Sequence, residues 1–274
     1  MHAVSEIPSL PSVRGVVGAA LRREWLSHRL NRFLYSHVAL VLVVGALPLL
    51  TPGDGFSRGA AWWLLHGVLY AVSLSSLLLG LSSAHAEAEE YVWIMGQPAG
   101  IGPWLTGKAA GLVLLTGGST ALICAPVMAM GGGTRALAVV TVGAVGISAV
   151  CALVGFALGF WVRDGVRGLI AVVAGWFVML FGVDLLLLAL AGAPWVQANP
   201  DVWIALLMAN PLDAFRITVL FSVERAAFSG LGAGALTNWW SANAVMWLGV
   251  LCLVWVMLGG LLAWLGLRRR TDDV

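Results

Sequence analysis

Residues Leu137–Val162 read LAVVTVGAVGISAVCALVGFALGFWV. About 20 apolar residues suffice for a helix to cross the hydrocarbon core of a bilayer, and this run is longer and free of Asp, Glu, Lys and Arg. It reads as a transmembrane helix. Five further runs flank it: Phe33–Leu50, Ala60–Ser83, Ala109–Met130, Gly168–Gly192 and Asn243–Leu267. The fold class is therefore an all-α membrane protein with six transmembrane helices. Composition agrees: 60% of the 274 residues are apolar, 10% are charged and 14 are Trp, more than a soluble core needs.

An even number of spans leaves both termini on one side. Arg14, Arg22, Arg23, Arg29, Arg32, Lys108, Arg163, Arg167, Arg268, Arg269 and Arg270 fall on that side, and Arg58, Arg135, Arg216 and Arg225 on the other. The positive-inside rule puts the richer side, with both termini, in the cytoplasm. Trp62, Trp195, Trp203, Trp239 and Trp240 then fall near the outer interface and Trp161 and Trp264 near the inner one, as anchors. The net charge of +2 gives no sign of a nucleic-acid partner. Cys124, Cys151 and Cys252 all lie inside apolar runs and read as small hydrophobes rather than disulfide partners.

Residues 1–32 form a cytoplasmic N-terminal segment and 33–274 the six-span domain. The first run has arginines before it and small residues after, as a signal peptide does, but the leader is long and Phe33–Leu50 is itself long enough to span, so an uncleaved anchor is the expectation. Before it, Val16–Arg32 interleaves Leu21, Trp25, Leu26 and Leu30 with arginines. That spacing suits an interfacial helix on the cytoplasmic leaflet, and the arginines alone also suit ordinary topogenic charge.

Two connections carry polar character. The cytoplasmic segment 84–108 includes HAEAEEYVWIMGQPAGIGPWLTGK, with Glu87, Glu89 and Glu90 ahead of the apolar Tyr91–Met95 and of Pro98, which stops a helix. It reads as a short helix lying against a partner. The external segment 193–242 holds NPLDAFRITVLFSVERAAF. This suggests an amphipathic helix at the outer surface, capped by Asn210 with Pro211 in its first turn and an exposed Asp213–Arg216 pair on one face.

The cytoplasmic segment resembles the signature region of ABC-2 type transporter permeases, in which acids, a short amphipathic stretch, a Pro and a Gly-Lys pair connect spans two and three. Glu87, Gln97-Pro98 and Gly107-Lys108 occupy the matching places, and Asn210–Arg216 is similar to a motif ahead of the last span in the NosY-like branch, the permeases of nitrous oxide reductase maturation. The chain departs from the family pattern at Glu89-Glu90, where Gly-Thr is common, and at Ile101, where Arg is common. The resemblance implies a permease that works with a separate ABC ATPase, two copies of each, in a bacterial inner membrane. Glu87, Glu89, Glu90, Tyr91, Pro98 and Lys108 would couple to the ATPase, and Asn210, Pro211, Asp213 and Arg216 would face a periplasmic partner protein or gate the exit. ATP and magnesium would sit on the partner subunit, with no cofactor, metal or catalytic residue in this chain. The branch also suggests a sulfur or copper species as cargo for metalloenzyme maturation.

Other motifs carry less. Gly102–Lys108 has the G-x-x-x-x-G-K spacing of a phosphate loop, but Ala109 replaces the magnesium-binding hydroxyl and no strand precedes it. Glu89-Glu90 lacks the Arg that follows paired glutamates in intramembrane proteases, and His85-x-Glu87 offers too few metal ligands. Met128, Met130 and Cys124 form a soft-metal triplet that reads first as core packing. His37 and His66 read as packed or interfacial. Gly155-x-x-x-Gly159 allows close helix approach, inside the bundle or across a dimer.

Asp184 stands within the fifth span, where a charged aspartate costs about 2.5–3.5 kcal/mol on insertion scales. It is either a pathway residue or a hydrogen-bonded Asp inside the bundle. An ion-coupled secondary transporter, or a membrane anchor for an assembly complex, are the alternatives to an ABC permease.

Overall fold

A chain inside hydrocarbon must satisfy its own backbone amides, and helices do so within one segment. The computed structural model describes residues 13–27, 31–50, 53, 55–86, 101–190, 192–223 and 235–272, and among these every regular element is helical. Helix α1 (Val13–Ser27) precedes the first span, which is α2 (Arg32–Ala46) with a 3-10 turn to Leu50. The second span runs through α3 (Phe56–Gly67), a π-helical turn at Val68–Val72, and α4 (Ser73–His85). Spans three to five are α5 (Ile101–Met130), α6 (Arg135–Trp161) and α7 (Gly165–Leu190). Helices α8 (Pro194–Ala198), α9 (Pro200–Ala209) and α10 (Pro211–Val223) separate α7 from α11 (Ala235–Asp272), which contains the sixth span, Asn238–Arg269. Among the described residues six helices are long and apolar enough to cross a membrane, and the bent pair α9–α10 would pass the same test as one further span. The six overlap the expected runs, with the third starting eight residues earlier, at Ile101 rather than Ala109.

The fourth span is the hub. Helix α6 packs against α4, α5, α10 and α11, and Leu137, Ile147, Cys151 and Phe156 are fully buried along it. Its approach to α4 is backbone against backbone: a Cβ at Gly155 would collide with the Leu77 carbonyl, and one at Gly80 with the Ala152 carbonyl. Gly155 and Gly159 therefore serve packing inside the bundle, which decides between the two readings of that motif. In contrast, α7 and α11 leave most of their apolar side chains uncovered, among them Leu188, Leu253 and Met257.

The π turn in the second span has a local cause. A π turn misaligns the carbonyl ladder, and serines take up the slack: Ser73 Oγ donates to the Leu69 carbonyl and Ser75 Oγ to the Val72 carbonyl. Ser73 in turn accepts from the Trp176 indole N–H at 2.9 Å, which fastens α7 to this turn.

Two expectations about tryptophan need correction. Trp203 and Trp240 are 6% and 2% exposed, so they are core residues rather than interfacial anchors. Trp161 and Trp264 do stand at one end of the bundle, under the guanidinium groups of Arg269 and Arg268.

Candidate functional site

The fifth and sixth spans are joined by a bent helix pair. Helices α9 and α10 meet at Asn210 with a turn of 104°. The vertex reaches deep into the bundle. Asn210 Nδ2 donates to the carbonyl of Met179, eleven residues before α7 ends at Leu190, which is about 16 Å of helix. Half of the hydrocarbon thickness is about 15 Å.

Breaking a helix at such depth exposes carbonyls that water cannot reach, each a cost of several kcal/mol if left bare. Here they have partners. The Trp247 indole N–H donates to the Met208 carbonyl at 2.9 Å and the Trp255 indole N–H to the Ala209 carbonyl at 3.0 Å. On the other side of the vertex, Asn210 Oδ1 accepts from the Leu212 amide at 3.2 Å, the expected cap, with Pro211 opening the helix.

A charge network hangs from the start of α10. Asp213 is 2% exposed and accepts from Asn210 Nδ2 at 2.7 Å and from Arg216 at 2.9 Å. Its place in the first turn suits the positive end of the helix dipole. Arg216 extends to Asp184 on α7 with two parallel hydrogen bonds, of 2.7 and 2.9 Å. The Asp184 and Arg216 side chains are 40% and 31% exposed, so this part of the network opens to the flank of the bundle. Asn210, Asp213 and Arg216 thus share one site with Asp184, a grouping that separate treatment of the two segments missed. The signal was available: an aspartate inside a span needs a cation, and Arg216 is the next arginine in the chain. The surface placement of α10 is corrected too. Pro211, Leu212, Asp213, Ala214, Phe215, Thr218 and Val219 are buried, and the Phe215 ring lies over Gly143, where a Cβ would collide with it.

A second polar cluster occupies the opposite end. Glu24 on α1 accepts from Lys108 Nζ at 2.6 Å, and their side chains are 1% and 2% exposed. Ser83 Oγ on α4 donates to the other Glu24 oxygen, so one carboxylate joins α1, α4 and α5. Glycine makes the approach possible: a Cβ at Gly107 would stand 2.5 Å from the Val17 carbonyl oxygen, and one at Gly111 3.1 Å from Glu24 Cβ. Nearby, Asn31 Nδ2 donates to Ser82 Oγ at 3.0 Å, and His85 Nε2 lies 2.8 Å from the Val162 carbonyl. Residues 87–100 join α4 to α5 at this end. Glu87, Glu89, Glu90, Tyr91 and Pro98 lie outside the described residues. Helix α1 is therefore more than an interfacial helix, because its Glu24 face is buried in the bundle while Arg22, Arg23, Trp25 and Leu26 face outward.

The remaining candidates are separated. Cys124 is buried, whereas Met130 is 53% exposed and, six positions on, lies on another face of α5. His37 is buried between Ser75 and Ser119, with its ring nitrogens 2.9 and 3.2 Å from their hydroxyls. His66 stacks on Trp62 and Tyr70. Compared with known proteins, the chain matches no family model and no curated protein.

Proposed function

We propose that this chain is the permease subunit of an ATP-driven transporter of the ABC-2 type, with cytoplasmic termini, paired with a second copy and two separate ATPase subunits in a bacterial inner membrane. The observation that carries this reading is the Glu24–Lys108–Ser83 cluster. It ties α1, the end of the second span and the start of the third into one unit, at the two points from which residues 87–100 hang. A push on that segment by an ATPase would move α1, α4 and α5 together instead of bending one loop. The rigid α4–α6 contact would pass the displacement to α10, and so to the Asp184–Arg216–Asp213 network at the other end.

The bent α9–α10 pair supports transport over a purely anchoring role, since an anchor has no need of a capped break at mid-depth. An ion-coupled carrier is less well supported, because Asp184, which would hold the ion or proton, is occupied by two hydrogen bonds from Arg216. A sulfur or copper species for metalloenzyme maturation remains the proposed cargo on the resemblance alone.

The test is co-expression and copurification with a soluble ABC ATPase sought among the neighbouring genes, followed by ATPase assays in proteoliposomes. The expected result is a complex whose ATP hydrolysis depends on the permease, and its loss in the Glu87→Lys, Glu90→Lys double variant while the permease stays folded. A double variant that still forms a fully coupled complex overturns the docking surface. Cargo movement with no ATPase present overturns the reading itself.

A further inference from the structure

We infer that the groove between the first and second spans binds one anionic phospholipid, with an acyl chain in the groove and the phosphate at Arg32. The groove has a volume of about 370 Å³ and is lined chiefly by Phe33, Ser36 and Leu40 on α2 and by Tyr70, Leu74 and Leu78 on the second span. It opens beside the π-helical turn at Val68–Val72, whose wider turn offsets Tyr70 from the residues that follow. Phe33, Leu40 and Tyr70 are 43%, 41% and 45% exposed, so among the described residues no other part of the bundle fills the space.

The occupant is specified by a gradient along α2. Arg32, Ser36 and Leu40 are four residues apart in turn and so share one face. From the end of the bundle inward they present an exposed guanidinium, a hydroxyl and an apolar side chain. A phospholipid has the same order of phosphate, ester region and hydrocarbon, whereas the flank of a second protein helix has no such direction. The start of α2 adds to this: its first turn carries no acid, and the positive end of its dipole favours a phosphate. Along α2 the groove runs from Phe33 to Leu40, seven helical steps or about 10 Å, within the reach of one acyl chain. Its floor makes no demand on the ligand, because Ser75 is already engaged with His37 and the Val72 carbonyl. The inference needs only that the spans cross a bilayer, and it stands or falls apart from the ATPase reading.

The experiment is native mass spectrometry of detergent-purified protein titrated with phosphatidylglycerol or phosphatidylcholine, with thermal melting in parallel. The wild type should retain one phosphatidylglycerol through detergent exchange, prefer it over phosphatidylcholine by about tenfold, and melt higher with it. Arg32→Gln should bring the two lipids to parity. Leu40→Trp, which fills the groove from its exposed wall, should lower retention of both. Equal binding of the two lipids by the wild type, or phosphatidylglycerol retention unchanged in both variants, overturns the proposal. A change in oligomeric mass in Leu40→Trp without a change in lipid retention would make the occupant a second copy and overturn it as well.

Discussion

Glu24 and Lys108 show how unequal a buried ion pair is to its halves. Two charges taken out of water cost several kcal/mol each, and their attraction about balances that, so the intact pair contributes little net stability. Removing one partner leaves a bare charge and costs about 3–5 kcal/mol. Glu24→Gln should therefore lower the melting temperature in detergent sharply, and the Glu24→Gln, Lys108→Met double variant should recover most of the loss. A double variant as unstable as the single one would show that Lys108 has a second indispensable partner. The Asp184–Arg216–Asp213 network behaves differently because Arg216 is shared. Asp184→Leu leaves Arg216 its contact with Asp213, and both Asp184 and Arg216 are partly exposed. Asp213→Leu strips a buried position that also holds Asn210. The expected order of destabilisation is Asp213→Leu greater than Asp184→Leu, and the reverse order in melting experiments would show that Asp184 is the anchor of the network. Asp184 stood out in the sequence as an ionisable group inside a span, and Lys108 as part of the Gly107-Lys108 pair that carries the family resemblance. Glu24 did not, since among arginines it looks like ordinary surface charge, and its partner is 84 residues away.

At the scale of elements, the stretch from Asn210 to Phe228 carries a pattern that misleads in an instructive way. An apolar stretch with charges interspersed reads as a surface helix when the charges are assumed to meet water. Here Asp213 and Arg216 meet one another and Asp184 instead, so the same pattern is compatible with burial. The caps were legible: Asn210-Pro211 opens α10 as its residue types demand. The depth was not, because what allows a break inside the bundle sits in another element, in the indole groups of Trp247 and Trp255 on α11. That dependence is measurable. Trp255→Phe keeps most of the ring and removes the donor, leaving the Ala209 carbonyl unpaired at a cost of about 1–3 kcal/mol. Trp195→Phe, at a residue 52% exposed, is the control and should be close to neutral. Equal effects of the two substitutions in thermal melting would mean that water, not Trp255, serves the vertex.

For the whole molecule, the six spans were legible because one length, the hydrocarbon thickness, is imposed on every crossing, while the order of packing was not, because it turns on which glycines meet which backbones. Connectivity does fix one global property. With α6 and α7 crossing in succession, the turn at Gly131–Thr134 and the junction at Val162–Asp164 must lie at opposite ends of the bundle. The arginine count assigns the sides, with Arg163 and Arg167 expected in the cytoplasm and Arg135 outside. Cysteines placed at Gly133 and at Asp164, both exposed positions, read the assignment directly. The native Cys124, Cys151 and Cys252 are buried and form a quiet background. In intact spheroplasts a membrane-impermeant thiol reagent should label Gly133→Cys at once and Asp164→Cys only after the membrane is opened. The opposite pattern would place the Glu24–Lys108 end outside the cell, where no ATPase could reach residues 87–100, and the proposed coupling would fail with it.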